Sequence, residues 1–301
     1  MEEVLLRSDL VTRGLADGDL ARLRRLGDLE HVRRGAYVRP SGQRLTPEQQ
    51  HQVLIAGTMP QLGDGAALSH ASAAVQHDLP VWAEALGSVH VTRPRPGGGG
   101  RRTVLRRHTS PLDAHEVTDV NGWPTTVLAR TVVDHARSVP YSQGVAAADR
   151  ALQLGLDPVL LPLALEREAG WPGVGRARRV AAFADGRSES AGESVSRVVL
   201  SELGLMPDEL QLPVLDGVRV AGRVDFAWLE HRTVGEFDGR VKYGRLLEED
   251  EDVREVVYRE KLREDLLRDL GWQVVRWTWA DLDRPAVIAD RLRRAFRRAH
   301  L

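Results

Sequence analysis

The chain has 301 residues, 28% charged and 42% hydrophobic, which is globular composition and enough length for roughly two or three modules with real cores. It has no cysteine, so disulfides, thiolate catalysis and cysteine-ligated zinc or iron-sulfur centres are excluded. The start, MEEVLLRSDL, lacks the basic and apolar regions of a signal peptide. The greasiest stretch, 156–165, contains Asp157, Pro158 and Pro162 and is too short to span a bilayer, so the sequence predicts a soluble cytoplasmic protein with no membrane partner.

The net charge of -1 hides an uneven layout. Residues 1–112 carry 15 arginines against 11 acids, whereas 185–265 carry 12 basic residues against 20 acids. The first part suits a polyanion and the second a cation such as a metal. The end, 284–301, is basic again, with six arginines and one aspartate.

Residues 1–42 read as a small helical unit closed by a hairpin. Leu5, Leu6 and Leu10 supply a first helix, and the glycines at 14 and 18 break it. Asp17 is placed to cap a second helix whose Leu20, Leu23 and Leu26 turn inward, leaving Arg22 and Arg25 outside. LEHVRRGAYVR then has strand residues on both sides of a turn with Arg33 and Arg34 at its tip. Helix, turn, helix and basic hairpin is the winged-helix pattern, in which the second helix enters a DNA major groove and the wing touches phosphate. A three-helix fragment with a solvated arginine face is the plainer alternative.

Residues 43–184 mix helical periods with short strands near 88–92 and 103–107. These strands are joined by a loop carrying Arg93, Arg95, Arg101 and Arg102 around Gly97 to Gly100. No Gly-Lys-Ser/Thr follows, so the glycines form no phosphate cradle. The arginines either straddle a nucleic-acid backbone or are simply solvated. The ten histidines show no HExxH or other ligand spacing, and Ser69-His70 lacks a GxSxG elbow, so His70 and His77 read as core or capping residues.

HVRRGAYV, LSHASAAVQHDLP followed by a tryptophan, and VHVTRPRP together resemble the actinobacterial branch of the AbiEi antitoxin family of type IV toxin-antitoxin systems, over about residues 1–150. The resemblance implies DNA binding and autoregulation, no enzymatic activity from this half, and a nucleotidyltransferase-type toxin as a possible partner.

Residues 185–301 have another texture. A helix over SESAGESVSRVVLSELG precedes strands near 218–220, 223–228 and 233–238, then a charged helix near 252–270 and a strand near 273–279, the order of an α/β sandwich. A two-residue turn at Glu230-His231 sets Asp225 opposite Glu236 and Arg223 opposite Asp238. By alternation Val224, Phe226, Trp228 and Phe237 form the other, apolar face. Two carboxylates about 5 Å apart repel by on the order of 3 kcal/mol at an effective dielectric near 20. Arg223 offsets part of that and a divalent cation more. Oxygen ligands on strands suit Mg²⁺ or Mn²⁺ bound with waters and a substrate phosphate. The chain's two lysines, Lys242 and Lys261, both lie near this cluster. An i,i+4 pair of Lys261 with Asp265 is the structural alternative for that lysine. Trp228, Trp272, Trp277 and Trp279 read as sheet core more readily than as base-stacking platforms.

Glu193 in GESVSR, RVDFAW, GEFDG, EKLRED and GWQVVRWTWADL resemble the PD-(D/E)XK nuclease superfamily, in the branch related to very-short-patch-repair endonucleases, over about 110 residues. The resemblance implies that Asp225 and Glu236 are metal ligands and that Glu193 completes the site. The lysine expected two residues after Glu236 is Asp238, which acts either as a third acidic ligand or as a structural partner of Arg223. The cationic role then falls to Lys261 or Lys242.

The sequence therefore predicts an α+β, α/β multidomain protein: a winged helix at 1–42, an AbiEi-like region at 43–184 and a restriction-endonuclease-like α/β sandwich at 185–301. The leading expectation is a Mg²⁺-dependent endonuclease or nickase acting on duplex DNA. The other is a non-catalytic antitoxin or repressor on a nuclease-like scaffold. A third reading, a nucleotidyltransferase toxin, is disfavoured, because no Gly-Ser closely followed by Asp-x-Asp is present.

Overall fold

A computed structural model describes residues 3–94, 104–239 and 253–299. The chain mixes helices and strands throughout and divides into two compact units, Met1–Phe183 and Ala184–Leu301. Among the described residues no helix is long and apolar enough to cross a membrane.

The first unit opens with β1 (Val4–Leu6), α1 (Arg7–Thr12), α2 (Asp17–Leu26), β2 (Glu30–Arg33) and β3 (Ala36–Val38), whose strands form a sheet in the order β1-β3-β2. Leu5 and Leu6, expected on a helix, lie on β1 paired with Tyr37 and Ala36. That pairing buries Leu5 against Leu10, Leu20, Leu29 and Tyr37, a non-local gain that local periodicity does not reveal. Leu26, expected inside, is 63% exposed because α2 ends there and Gly27 takes a left-handed conformation at φ 81°. Asp17 is the first residue of α2 and not its cap. Its carboxylate accepts a bidentate pair from Arg7 at 2.8 and 2.7 Å, while Asp19 reaches back to the Ala16 N–H.

A second sheet in the same unit contains β4 (Ala67–Leu68), β5 (Val89–Arg93), β6 (Leu105–Thr109), β7 (Val117–Val120) and β8 (Trp123–Thr126), ordered β6-β5-β4-β8-β7. The β5–β6 and β4–β8 pairs are parallel. Helix α3 (Pro47–Ala56) starts with a Thr46–Gln49 capping box and contributes Ile55 to the core under β4, β5 and β6. Helix α4 (His70–Gln76) follows β4 directly, and α5 (Leu128–Ser138), α6 (Tyr141–Gln153), α7 (Leu160–Arg167) and α8 (Val174–Phe183) complete the unit.

The second unit runs α9 (Ala191–Glu202), β9 (Glu209–Asp216), β10 (Arg219–Trp228), β11 (Thr233–Asp238), α10 (Val253–Asp269), β12 (Gln273–Thr278), α11 (Trp279–Leu282) and α12 (Pro285–Ala299). Its sheet has the order β12-β11-β10-β9, antiparallel except for the parallel β11–β12 pair. Both faces are covered. Val199 and Leu200 of α9 and Ile288 and Leu292 of α12 pack on Phe226, Trp228, Val275 and Trp277. Leu267 of α10 packs on Val214, Val224, Ala227 and Val234.

The hairpin register is the expected one, with Phe226↔Gly235, Ala227↔Val234 and Trp228↔Thr233 around a turn closed by Arg232 N–H to the Leu229 carbonyl at 3.1 Å. The face assignment needs correction. Val224, expected beside Phe226, packs in the α10 cluster, and Ala227 and Val234 make the far end of the carboxylate face apolar. A sheet sandwiched between helix layers must be apolar on both faces, so only its end is left for charge. Strand β9 was not anticipated, and the two short strands expected at 218–220 and 223–228 are one strand with a bulge between Val220 and Gly222. Trp228, Trp272 and Trp277 are buried in the core and Trp279 is half-buried.

Gly235 sits where a methyl group would come within 2.5 Å of the Trp277 ring and 3.0 Å of the Trp228 ring. Gly235→Ala is therefore expected to destabilise the second unit by roughly 1–3 kcal/mol through overpacking, read as a lower denaturation midpoint with an unchanged slope. An unchanged midpoint would contradict this packing.

Candidate active site in the second unit

The sheet's charged end is built around Asp225 on β10 and Glu236 on β11. The β10–β11 ladder stops at Phe226↔Gly235, and beyond it the Asp225 carboxylate accepts the Phe237 N–H at 2.8 Å. A side chain has taken the place of a ladder carbonyl, which fixes its position. Across β9, Gln211 falls opposite Asp225, between Leu210↔Phe226 and Leu212↔Val224. It stands at φ +54°, an unusual and strained conformation for a residue with a side chain. Its amide donates to Glu193 Oε2 at 2.8 Å and also hydrogen-bonds Asp225. Glu193, in the first turn of α9, further accepts from the Glu189 N–H at 2.8 Å and the Ser190 hydroxyl at 2.7 Å. Gly192 makes this placement possible, since a methyl group there would lie 1.9 Å from the Phe237 ring.

Glu236 is almost fully buried, and both its oxygens are held by arginines. Arg263 of α10 reaches Oε1 at 2.6 Å, and Arg276 of β12 reaches Oε2 at 2.8 Å. The parallel register Glu236↔Arg276 brings the second pair together. Glu260 binds both arginines and Glu264 binds Arg276 at 3.0 Å, so helix and sheet are joined through four charged side chains and Glu236. The expected offset of the carboxylates by Arg223 is replaced by this arrangement, for Arg223 pairs with Glu189.

Asp225, Glu236 and Asp238 line a cleft of about 290 Å³ together with Arg223, Phe237, Glu260, Arg263 and Arg276. Burial, then the neighbouring Glu193 and Glu236 charges, push the Asp225 carboxyl up to about 7 against the opposing Phe237 hydrogen bond. Burial likewise raises the Glu193 carboxyl. Lys261 is exposed on α10, about 100° round the helix from Glu260, and does not line the cleft. Lys242 lies outside the described residues. Sequence reasoning missed Gln211, Arg263 and Arg276; Gln211, a lone amide in an otherwise apolar strand segment, was the one with a readable signal.

The arginine candidates of the first unit are spread over several elements. Arg22 and Arg25 are exposed on α2, and Arg34 is exposed beside a half-buried Arg33 at the β2–β3 turn. Arg33 and Arg34 line a hollow of about 1210 Å³ with Arg7, Asp17 and His31. Arg93 donates to the Gly63 carbonyl at 2.8 Å, and Arg95, Arg101 and Arg102 lie outside the described residues.

Two opposite stability effects follow. Below 3.8 the Asp225 carboxyl is protonated in both folded and unfolded chain; between 3.8 and about 7 only the unfolded chain ionises, so this group lowers stability as pH rises through that window. Asp225→Asn should remove the loss, gaining up to about 4 kcal/mol over wild type above the window and little below it. Like-charge repulsion alone would make Glu236→Ala neutral or stabilising. The arginine pairs reverse that sign, and the variant should lose about 1–3 kcal/mol. Thermal unfolding of both variants across pH checks the pair of signs.

No family model matches the chain. Over 205 residues it is 33% identical to two Mycobacterium tuberculosis proteins, Uncharacterized protein MT2308 of strain CDC 1551 / Oshkosh and Uncharacterized protein Rv2248 of strain ATCC 25618 / H37Rv, covering 66% of this chain and 73% of each relative. Among solved structures, the crystal structure of RV2827C protein from Mycobacterium tuberculosis is similar at a TM-score of 0.40 and 18% identity, over 60% of this chain and 71% of that one. At this identity and coverage, the chain belongs to the family of the mycobacterial proteins MT2308 and Rv2248.

Proposed function

We propose that the chain binds duplex DNA through its first unit and cuts it at the acidic cleft of the second, as a Mg²⁺-dependent endonuclease or nickase. The observation that carries this reading is one cleft in which Asp225 and Glu236 stand beside Arg263 and Arg276. The order of α9, β9, β10, β11, α10 and β12, with Glu193, Asp225 and Glu236 on the first helix and the two central strands, supports the nuclease-like sandwich of the PD-(D/E)XK resemblance. The β1-α1-α2-β2-β3 order, with Arg22 and Arg25 on the second helix and Arg33 and Arg34 at the turn, supports the winged helix.

The donors fit a hard cation. Carboxylate oxygens suit Mg²⁺ or Mn²⁺, and Asp225 has carboxylates for charged neighbours, a balance that a cation improves. Asp225 and Glu236 would hold it, Glu236 by giving up an arginine at one of its oxygens, while Glu193 orders Asp225 through Gln211. When bound, such an ion polarises a phosphodiester and lowers the pKa of a coordinated water. Arg263 and Arg276 supply the cationic role expected of Lys261 or Lys242: they hold Glu236 in place and offer charge to a phosphate entering the cleft.

A specific observation favours a second reading, a non-catalytic repressor or antitoxin with a nucleotidyltransferase-type toxin as partner. Both Glu236 oxygens are already engaged by arginines, and Asp238 stands where a lysine is expected.

Plasmid nicking with Mg²⁺, Mn²⁺ or EDTA separates the two. The nuclease reading expects metal-dependent nicking, lost in Asp225→Asn and cut by about a hundredfold or more in single turnover by Arg276→Gln, with a smaller effect of Lys261→Met. No nicking by wild type, or equal nicking by Asp225→Asn, would leave the regulator reading. In either case, neutralising Arg33 and Arg34 should flatten the salt dependence of DNA binding by about two phosphate contacts.

A further inference from the structure

A second cluster of chemistry-bearing side chains lies in the first unit. The parallel β5–β6 register pairs His90 with Arg106 and Thr92 with His108, so His90 and His108 stand diagonally on one face of neighbouring strands. His70 enters from the start of α4 in a left-handed conformation, φ +51°, and its ring stacks on His108 at 3.7 Å. One ring nitrogen from each of the three comes within 4.8 Å of the other two. His108 Nε2 and His90 Nδ1 are 3.1 Å apart. In a tetrahedral site with Zn–N bonds of about 2.0–2.1 Å, neighbouring nitrogens are separated by about 3.3 Å, so this edge of a coordination polyhedron is already in place.

We propose that His70, His90 and His108 form a three-histidine site for a borderline divalent transition metal, Zn²⁺ foremost, with its fourth position open to water or an anion. The site is independent of the acidic cleft and differs from it in donor chemistry. His70 and His108 line a hollow of about 470 Å³, which gives the ion a route in and room for an exchangeable ligand. Burial first, and the surrounding imidazoles and arginines next, hold all three rings neutral, the form that coordinates metal. Each ring can keep its one N–H on the far nitrogen, so the His90–His108 hydrogen bond is exchanged for two metal bonds by a tautomer shift. The stacked His70 and His108 rings must tilt to aim both lone pairs at one point.

Two neighbours add to the case. Ser69 Oγ hydrogen-bonds His70 Nδ1 at 3.0 Å and fixes the ring, while Asp134 Oδ1, 3.8 Å from His70 Nε2, is held by Arg137. His135 is completely buried with neither ring nitrogen hydrogen-bonded, and it is close enough to His70 and His90 to repel their protonated forms. An orphaned buried imidazole costs about 1–3 kcal/mol, and a bound ion with its water is one source of the missing partner. Arg106, Arg107 and Arg137 face the same region, so charge alone does not hold a cation there. Only a metal that bonds strongly to imidazole overcomes them, which selects Zn²⁺ over Mg²⁺.

The test is equilibrium dialysis of the chelator-stripped full chain against Zn²⁺ in excess Mg²⁺. Wild type should retain one Zn²⁺ per chain. His108→Gln, at a half-buried position, should weaken binding by about a hundredfold or more, while Glu236→Gln binds as wild type. Failure of wild type to bind one Zn²⁺, unchanged binding by His108→Gln, or loss confined to Glu236→Gln each overturns the site. Should His108→Gln misfold by circular dichroism, the visible spectrum of Co²⁺-loaded wild type decides: intense tetrahedral bands support the site, and weak octahedral bands overturn it.

Discussion

The second unit is organised by the need to neutralise one buried carboxylate. Glu236 sits on a strand with neighbours on both sides and helices on both faces, where an unpaired charge would cost several kcal/mol. Its two cations come from different places in the chain, Arg276 from the adjacent parallel strand and Arg263 from the helix that connects the strands. The pairing thus constrains strand order, helix azimuth and hairpin register together. Asp225, a few ångströms away on the partner strand, has a backbone N–H and an amide where Glu236 has guanidinium groups, and its carboxyl is driven up to about 7. Placing two acids of the same cleft in such different surroundings is a way to give them different tasks.

Much of this region was legible in the sequence, for identifiable reasons. The hairpin register followed from a tight turn, a local feature, and the helix that carries Glu193 lies within the segment SESAGESVSRVVLSELG, where it was expected. What was not legible depends on contacts between distant segments. Arg276 is opposite Glu236 only because β12 runs parallel to β11, and a parallel pairing leaves no local mark in either strand. Strand β9 escaped because Pro213 and a left-handed Gln211 interrupt its pattern. Leu5 and Leu6 fitted a helical repeat and became strand because β3 was there to pair with them.

The histidines show the same limit more sharply. Spacings of 20 and 18 residues between His70, His90 and His108 match no ligand motif, and each residue taken singly is a plausible core histidine. Their convergence comes from a strand, its parallel neighbour and a helix that starts beside both. Metal sites built on one helix or loop advertise themselves by regular spacing. Those assembled from a sheet do not.

The centre of the five-stranded sheet also sets an order of events for the growing chain. Strand β4 is only Ala67–Leu68, and it pairs on one side with β5 and on the other with β8, where Leu68 meets Thr125. Until the ribosome has released the segment through Thr126, β4 has an unpaired edge and the apolar residues beneath it lack part of their cover. Closure of such a long loop is slow compared with forming the β2–β3 hairpin, so the arginine-bearing start of the chain can be folded while the sheet behind it is still open. For that interval the nascent protein exposes a strand edge, the kind of surface that invites premature pairing with another chain.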